Sequence, residues 1–175
     1  MTDPAIPVFQ VVDLGVKGRG VRATRSYRMR DAVCVFAGPL LTLRECADGW
    51  LADHSLQIDD DLYMGPSGGV DDLFNHSCNP NCGLRIDGVD VLLVAIRHIK
   101  PGDEITFDYS TTMDDGDWEM PCACGEPGCR GVVRDYHTLP PAVRSRYEWL
   151  GVVPEFLLRK YGSCRGSSVG RTRGS

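Results

Sequence analysis

The feature that most constrains how this chain folds is a short cysteine segment, Cys122, Cys124 and Cys129, with the spacing C-x-C-x4-C. Residues two apart on an extended chain point the same way, and the Gly-Glu-Pro-Gly loop can bring the third thiolate to the same point. Three thiolates leave a tetrahedral zinc ion one ligand short, so the fourth ligand must come from elsewhere in the chain. The alternative is a set of unrelated buried thiols, which would not need this spacing or its glycines.

The stretch NHSCNPNC, residues 75–82, offers the candidates for that fourth ligand. It contains Cys78 and Cys82 together with a histidine, three asparagines and a proline. The residues alone do not choose between the two cysteines. Either choice predicts that this stretch folds against the cysteine segment, and zinc is the metal that closed thiolate coordination favours.

The composition favours metal-bound or reduced cysteines over disulfides. The chain has 8 cysteines in 175 residues, and its first residues, MTDPAIPVFQ, lack the basic start and apolar region of a secretory signal. No run of about 18 apolar residues could span a membrane, so we expect no membrane partner. The predicted location is the cytoplasm, or the nucleus if the source is eukaryotic.

The charge is unevenly distributed along the chain. The net charge of −5 argues against direct nucleic-acid binding through the whole surface. Eight acidic residues and no Lys or Arg lie between Arg44 and Arg85, and eight more acids without a base lie between Lys100 and Arg130. These blocks are either solvated acidic loops or surfaces that attract a cationic substrate.

Short strands dominate the predicted secondary structure up to residue 110. AVCVFAGPLL predicts a buried strand closed by Pro39. Thr42 and Glu45 have the spacing of a capping box, which predicts a short helix over residues 43–49. Asp87-Gly88 is the two-residue signal of a type I′ hairpin turn. Further strands are predicted in VFQVVDL, RGVRAT, HSLQI, LYM and KPGDEITFDYS.

After Ser110 the chain changes character. TTMDDGDWEMP predicts a polar, acidic linker into the cysteine segment. Two helices are then predicted, PPAVRSRYEWL and PEFLLRKY, the second with Pro154 at its first position and Gly162 after its end. The glycine- and serine-rich tail predicts disorder. The resulting fold class is a mostly β core with a C-terminal appendage of cysteines and short helices.

Four motifs carry a resemblance to a known family. NHSCNPNC, GDEITFDY and CACGEPGCRG resemble the SET-domain protein-lysine methyltransferases with a post-SET zinc segment. GVKGRGVRAT resembles the family's N-terminal cofactor-binding loop. The match covers about residues 8–134 in the family's order. The three C-terminal motifs together are specific, whereas the Gly-x-Gly of KGRG alone would be weak evidence.

The resemblance implies a SET-domain, β-clip-like fold in which the NHSC and EITFDY segments thread into a pseudoknot. It predicts that S-adenosylmethionine (SAM) binds on one face and that the substrate lysine enters from the other through a narrow channel. The predicted divisions are a SET domain over 6–110, a post-SET zinc-binding segment over 118–134, a helical extension over 135–162 and a disordered tail over 163–175.

The resemblance also implies the roles of individual residues. One structural zinc ion is assigned to Cys78, Cys122, Cys124 and Cys129, which leaves Cys82 structural. Cofactor contacts are assigned to Lys17, Gly18, Arg19, Gly20, Asn75, His76 and Tyr109. Tyr109 matches the catalytic tyrosine that positions the amine, and Phe107 matches the position that sets how many methyl groups are added. Because phenylalanine lacks a hydroxyl that would hold a blocking water, more than one methylation is predicted.

Two positions depart from the family's pattern. Asp72 lies three residues before Asn75, where the family often has arginine. His54 falls where a channel tyrosine usually lies. His54 is therefore either an altered wall of the lysine channel, and so a candidate catalytic residue, or a solvated loop histidine.

The predicted function is SAM-dependent methyl transfer to a lysine ε-amine of a basic protein or peptide. Two alternatives stay open. One is a SET-fold methyltransferase of a small-molecule amine, because no separate substrate-recognition domain is present. The other is a non-catalytic SET-like binding module, which the departures at His54 and Asp72 motivate.

Overall fold

The structure, a computed structural model, describes residues 8–46, 51, 54–116 and 118–162. Its strands are β1 Phe9–Asp13, β2 Arg19–Ala23, β3 Ala32–Phe36, β4 Leu40–Thr42, β5 Leu56–Asp59, β6 Leu62–Met64, β7 Asn75–His76, β8 Cys82–Asp87, β9 Asp90–Ala95, β10 Thr106–Phe107, β11 Glu119–Pro121 and β12 Val132–Arg134. Its α-helices are α1 Leu43–Cys46, α2 Pro141–Leu150 and α3 Glu155–Tyr161. Short 3-10 helices cover Gly15–Lys17, Val70–Leu73, Tyr109–Thr112 and Tyr136–Thr138. Within these residues, no helix has the length and apolar character needed to cross a membrane.

The first two strands form the predicted pair. β1 and β2 run antiparallel on either side of the short helix Gly15–Lys17. Gly15 and Gly18 have φ angles of 65° and 70°, a region that glycine adopts without steric cost, so the chain can reverse in a few residues. Val21 and Ala23 of β2 are buried in the core, which anchors this loop to the rest of the domain.

β8 and β9 form the predicted hairpin, but its loop is shifted by one residue. Asp87 and Asp90 pair with each other, so the loop residues are Gly88 and Val89. A type I′ turn requires positive φ at both loop residues. Gly88 has φ 59°, whereas among the described non-glycine residues only Arg30 has positive φ. The predicted turn type was therefore wrong, because Gly88 occupies the first central position.

β3 completes this sheet, whose strand order is β3-β9-β8. The sequence predicted a buried strand here, but only one face of β3 is buried. Val33 and Phe36 are buried, whereas Val35 is 62% exposed. This alternation is typical of an antiparallel sheet with one face on the core and one in water. Pro39 separates β3 from β4, as expected of a residue that cannot donate to a ladder.

A second sheet has the order β4-β6-β5, and α1 follows β4 directly. The Glu45 half of the predicted capping box is present: the Thr42 N–H donates to Glu45 Oε2 at 2.8 Å, and the Thr42 hydroxyl donates to the same oxygen at 2.7 Å. The predicted end of this helix, at residue 49, lies outside the described residues.

The two motifs that carry the site meet in a parallel strand pair, β7 with β10. The buried Asn81 side chain stabilises this pairing. Its Nδ2 donates to the Glu104 carbonyl at 2.7 Å, and its Oδ1 accepts from the Thr106 N–H at 3.0 Å. Asn81 therefore ties NHSCNPNC to GDEITFDY.

The predicted linker at residues 111–121 was wrong. Thr111, Thr112 and Met113 are buried, and β11 pairs antiparallel with β12. The Asp114 N–H donates to Gln57 Oε1 at 2.8 Å. A polar composition predicted a solvated segment, but its backbone and side-chain groups find partners inside the fold.

The C-terminal helices pack onto β9 through a second buried cluster. Tyr136, Tyr147 and Phe156 are each at most 1% exposed and pack with Val94. Both predicted helices are confirmed, although α3 begins at Glu155 and Pro154 is its N-cap residue. The predicted disordered tail, residues 163–175, lies outside the described residues.

Candidate active site

Tyr109 lies between two cavities. The first has a volume of about 90 Å³ and an aromatic lining that includes Phe36, Phe74 and Phe107. The second has a volume of about 150 Å³ and lies between the loop at Lys17 and the cysteine segment. Tyr109 contributes to the lining of both cavities.

Phe107 and Tyr109 both line the first cavity, but they do not lie on one strand as predicted. The sequence suggested two residues on one face of a single strand, but β10 ends at Phe107 and Tyr109 begins a 3-10 helix. Their ring centroids nevertheless lie 4.8 Å apart. Phe107 also packs edge-on against Phe36 at 6.2 Å, which fixes the ring at the cavity wall.

The two positions that depart from the family's pattern both line the first cavity. His54 is exposed, and Trp118 is another residue of the same lining. Asp72 also lines it, and its carboxylate accepts hydrogen bonds from the Ser67 N–H at 2.9 Å and the Gly68 N–H at 2.7 Å. Asp72 therefore shapes the preceding loop and leaves negative charge near the cavity.

The Tyr109 hydroxyl is held as a donor. It donates to the Phe74 carbonyl at 2.8 Å. Burial raises the pKa of Tyr109 above its ordinary value, with the Glu104 carboxylate adding to the effect, so the phenol is neutral at pH 7. With its hydrogen committed to Phe74, the oxygen keeps lone pairs that can accept a hydrogen bond from an amine.

The second cavity brings together four of the predicted cofactor contacts, Lys17, Asn75, His76 and Tyr109. Gly20 allows this close packing: a Cβ atom there would lie 2.6 Å from Asn75 Nδ2, nearer than real Cβ contacts. Asn75 Nδ2 in turn donates to the Arg19 carbonyl at 3.1 Å. Gly18, Arg19 and Gly20 do not themselves line this cavity.

A polar cavity of about 350 Å³ adjoins this region and shares Lys17 and His76 with it. Its lining includes two carboxylates that the sequence reasoning missed, Glu104 and Glu126. Lys17 forms an ion pair with Glu104, and Asn75 Nδ2 donates to Glu104 Oε1 at 3.2 Å. The sequence could have indicated Glu104 as a site residue, because Glu104 lies within the motif GDEITFDY.

The four cysteines assigned to zinc come together in space. The sulfur atoms of Cys78, Cys122, Cys124 and Cys129 all lie within 4.8 Å of one another, and Cys82 is buried elsewhere in the core. Cys78 Sγ lies 3.7 Å from Cys122 Sγ. Zinc–sulfur bonds of about 2.3 Å in a tetrahedron place sulfurs about 3.8 Å apart, so this donor set fits a structural zinc ion.

Backbone and ring donors surround these sulfur atoms. The Arg130 N–H points to Cys78 Sγ at 3.4 Å, and the Gly131 N–H points to Cys129 Sγ at 3.4 Å. Burial opposes ionisation of Cys124, yet backbone N–H groups and the neighbouring thiols lower its pKa to about 7. Such donors stabilise thiolates, the form that binds metal.

His76 connects this cluster to Tyr109. Burial lowers the pKa of His76 to about 4, so the ring is neutral at pH 7. The Tyr109 N–H donates to Nδ1 at 3.2 Å, which assigns the ring proton to Nε2. Nε2 lies 3.3 Å from Cys78 Sγ, so one imidazole bonds both the backbone of Tyr109 and a proposed zinc ligand.

A buried charge network behind the site was missed by the sequence reasoning. Asp108 is 1% exposed and accepts two hydrogen bonds from Arg130, at 2.7 and 2.8 Å. The Tyr147 hydroxyl of α2 donates to the same carboxylate at 2.9 Å. Asp108 therefore joins the segment next to Tyr109, the cysteine segment and the C-terminal helix. No local pattern indicates a bond between residues this far apart in the chain.

Replacing Arg130 by methionine is expected to cost about 3–5 kcal/mol of unfolding free energy, because it leaves the Asp108 carboxylate buried without its cation. Urea unfolding of zinc-loaded protein measures the loss. Arg134→Met is the matched control, since Arg134 pairs with Glu119 at the surface and exposed pairs contribute about 0–1 kcal/mol. Equal losses in the two variants would contradict this account of the network.

The chain belongs to the SET-domain family: the family model matches residues 18–110, more than half of the 175 residues. It is 33% identical over 135 residues to the histone-lysine N-methyltransferase TRX1 of Oryza sativa, covering 69% of this chain and 13% of that protein. It is 32% identical over 143 residues to the histone-lysine N-methyltransferase ash1 of Drosophila melanogaster, covering 74% of this chain and 6% of that protein.

The fold is also similar to a solved structure, the methyltransferase domain of the human histone-lysine N-methyltransferase SETMAR. The TM-score is 0.60 at 26% identity, covering 73% of this chain and 58% of that chain. These comparisons confirm the mostly β SET fold that the motifs predicted. The chain spans only a small part of the curated relatives named here, at most 13% of their length.

Proposed function

We propose that this chain transfers a methyl group from SAM to the ε-amine of a lysine in a protein substrate. The observation that carries the proposal is the position of Tyr109, which lines both an aromatic cavity and the cavity beside Lys17, Asn75 and His76. Supporting this, the curated relatives are named as histone-lysine N-methyltransferases. A histone tail, which is lysine-rich, is the first substrate to test.

SAM would be held in the second cavity and the polar cavity beside it, by Lys17, Asn75 and His76, next to the backbone of Gly18, Arg19 and Gly20. When bound, it supplies a methyl group on a positively charged sulfur. One zinc ion would be held by Cys78, Cys122, Cys124 and Cys129. Because the cysteine segment lines the second cavity through Ala123 and Cys124, zinc would fix one wall of the cofactor pocket.

The substrate lysine must enter the first cavity and lose its proton. With a pKa of about 10.4, deprotonating a free lysine at pH 7 costs about 4.6 kcal/mol. The aromatic lining at Phe36, Phe74 and Phe107 lowers that cost, since it desolvates the ammonium form. The Tyr109 oxygen would then accept an amine N–H and aim the nitrogen lone pair towards the second cavity. Tyr109 acts by orientation, because its raised pKa leaves it neutral and already donating to Phe74.

The edge of the first cavity favours a cationic substrate. Like His54, the carboxylates of Asp71 and Asp72 line this cavity. Their negative charge would attract a lysine together with basic neighbours in a peptide. This arrangement supports the substrate-attracting interpretation of the acidic block between Arg44 and Arg85.

Phe107→Tyr is expected to preserve the first methyl transfer and suppress later ones. The added hydroxyl would hold a water beside the amine, in the space that a methylated amine needs in order to turn. Mass spectrometry of a substrate peptide over time measures the ratio of mono- to di- and trimethyl product. The proposed capacity for more than one methylation would be wrong if the wild-type protein, given SAM in excess over the peptide, stopped at monomethyl-lysine.

The proposed activity is tested with wild-type protein, labelled SAM, and either purified histones or free amines such as lysine and spermidine. Label on a histone lysine supports the proposal. Label on the free amines alone would favour the small-molecule alternative. Calorimetric SAM binding without transfer to any amine would favour a binding module.

The cellular compartment that we propose depends on the proposed substrate. The relatives are named for histones, which supports a nuclear location for a eukaryotic source and gives no support to the cytoplasmic prediction. We propose no direct contact with nucleic acid, in line with the net charge of −5. Imaging a fluorescent fusion in the source organism tests the location.

A further inference from the structure

A second group of metal-ligating side chains lies apart from the cysteines. Asp114, Asp135 and His137 each offer a ligand atom, and these atoms lie within 4.8 Å of one another. The Asp114 side chain is 6% exposed and Asp135 is 3% exposed, whereas the His137 side chain is 46% exposed. Two carboxylates are thus buried together, with an imidazole forming the side that opens to solvent.

The Asp135 carboxylate is incompletely satisfied. One oxygen, Oδ2, accepts from the Gly116 N–H at 2.8 Å. The other, Oδ1, is buried and has no hydrogen-bond partner in the described part of the chain. Burial raises the pKa of Asp135, because the charged form of this carboxylate is held away from water without a partner for Oδ1. A positively charged ligand would stabilise the charged form.

The neighbouring cation does not supply that charge. Lys160 Nζ lies 3.0 Å from Asp114 Oδ2 and 2.8 Å from Asp60 Oδ1, and no ion pair among the described residues includes Asp135. The Tyr161 hydroxyl donates to Asp114 Oδ1 at 2.9 Å. Lys160 therefore balances Asp114 and Asp60 rather than Asp135.

We propose that Asp114, Asp135 and His137 form a second divalent-cation site, distinct from the cysteine cluster. The mixed set of two carboxylates and one imidazole suits zinc or a similar transition metal better than Mg²⁺ or Ca²⁺, which prefer oxygen ligands alone. Water would complete the coordination from the exposed side at His137.

A cation at this site would connect two parts of the fold. Asp114 follows Met113, which lines the aromatic cavity, and His137 lies in the 3-10 helix Tyr136–Thr138 that leads to α2. The ion would therefore tie one wall of the aromatic cavity to the C-terminal extension. This inference does not depend on the proposed methyl transfer.

The test uses the full chain with one equivalent of zinc already bound, titrated with further Zn²⁺ by isothermal calorimetry. The wild type is expected to bind a second equivalent, and Asp135→Asn and His137→Gln are expected to bind it at least tenfold more weakly. His137 is half exposed, so its replacement tests the site even if Asp135→Asn folds poorly. Asp90→Asn, at an exposed position of β9, is the control and should bind like wild type. Absence of a second equivalent in wild type, or its full retention in His137→Gln, would overturn the proposal.

Discussion

Tyr109→Phe is expected to lower methyl-transfer turnover at least tenfold, about 1.4 kcal/mol in the activation free energy, while SAM affinity changes little. The substitution keeps the ring, which packs on Phe107 at 4.8 Å and on His76 at 5.4 Å. It removes the oxygen that would accept the amine N–H, so the amine loses its orientation in the aromatic cavity. Single-turnover kinetics with labelled SAM measures the rate, and calorimetry measures cofactor binding.

The matched control for this variant is Tyr136→Phe. Tyr136 is also a buried tyrosine whose hydroxyl has a side-chain partner, Glu148 at 3.3 Å, but it belongs to the C-terminal cluster. Loss of its hydroxyl should leave turnover within about twofold of wild type. Full activity of Tyr109→Phe on a lysine substrate would refute the positioning role.

Cys124→Ser is expected to remove the tightly bound zinc ion and to weaken SAM binding at least tenfold. Serine is a poor zinc ligand, and structural zinc sites contribute about 10–16 kcal/mol of apparent binding free energy to the folded state. Cys124 also lines the second cavity, and His76 connects Cys78 to the backbone of Tyr109. Disorder of the cysteine segment should therefore reach both the proposed cofactor pocket and Tyr109.

Metal analysis after gel filtration in citrate, which strips weakly held ions, gives the zinc content, and calorimetry gives the SAM affinity. Cys34→Ser is the control, because Cys34 is a half-buried thiol of β3 outside the cluster. It should keep its zinc and its cofactor affinity. Stoichiometric zinc in Cys124→Ser would rule out the four-cysteine assignment, whereas zinc loss with unchanged SAM affinity would rule out the coupling to the pocket.

The local elements of the fold could be predicted because short-range interactions determine them. The capping box of Thr42 and Glu45, the β8–β9 hairpin and helices α2 and α3 each depend on residues near one another in the chain. The errors arose where contacts beyond the local segment decided the structure. The hairpin loop moved to Gly88-Val89 because strand pairing set the register, and β10 ended at Phe107 because Asp108 turns inward to Arg130.

By itself, the sequence determined the family, the short strands, and the residue types that meet at the site, because motifs and cysteine spacing are properties of contiguous segments. The tertiary structure alone decided how these segments combine. It placed Tyr109 at the junction of two cavities, joined Asp108 to Arg130 and Tyr147, and brought Asp135 beside Asp114 and His137. The physical reason is that a buried carboxylate takes its partners from whichever segments pack against it, and that packing involves the whole chain.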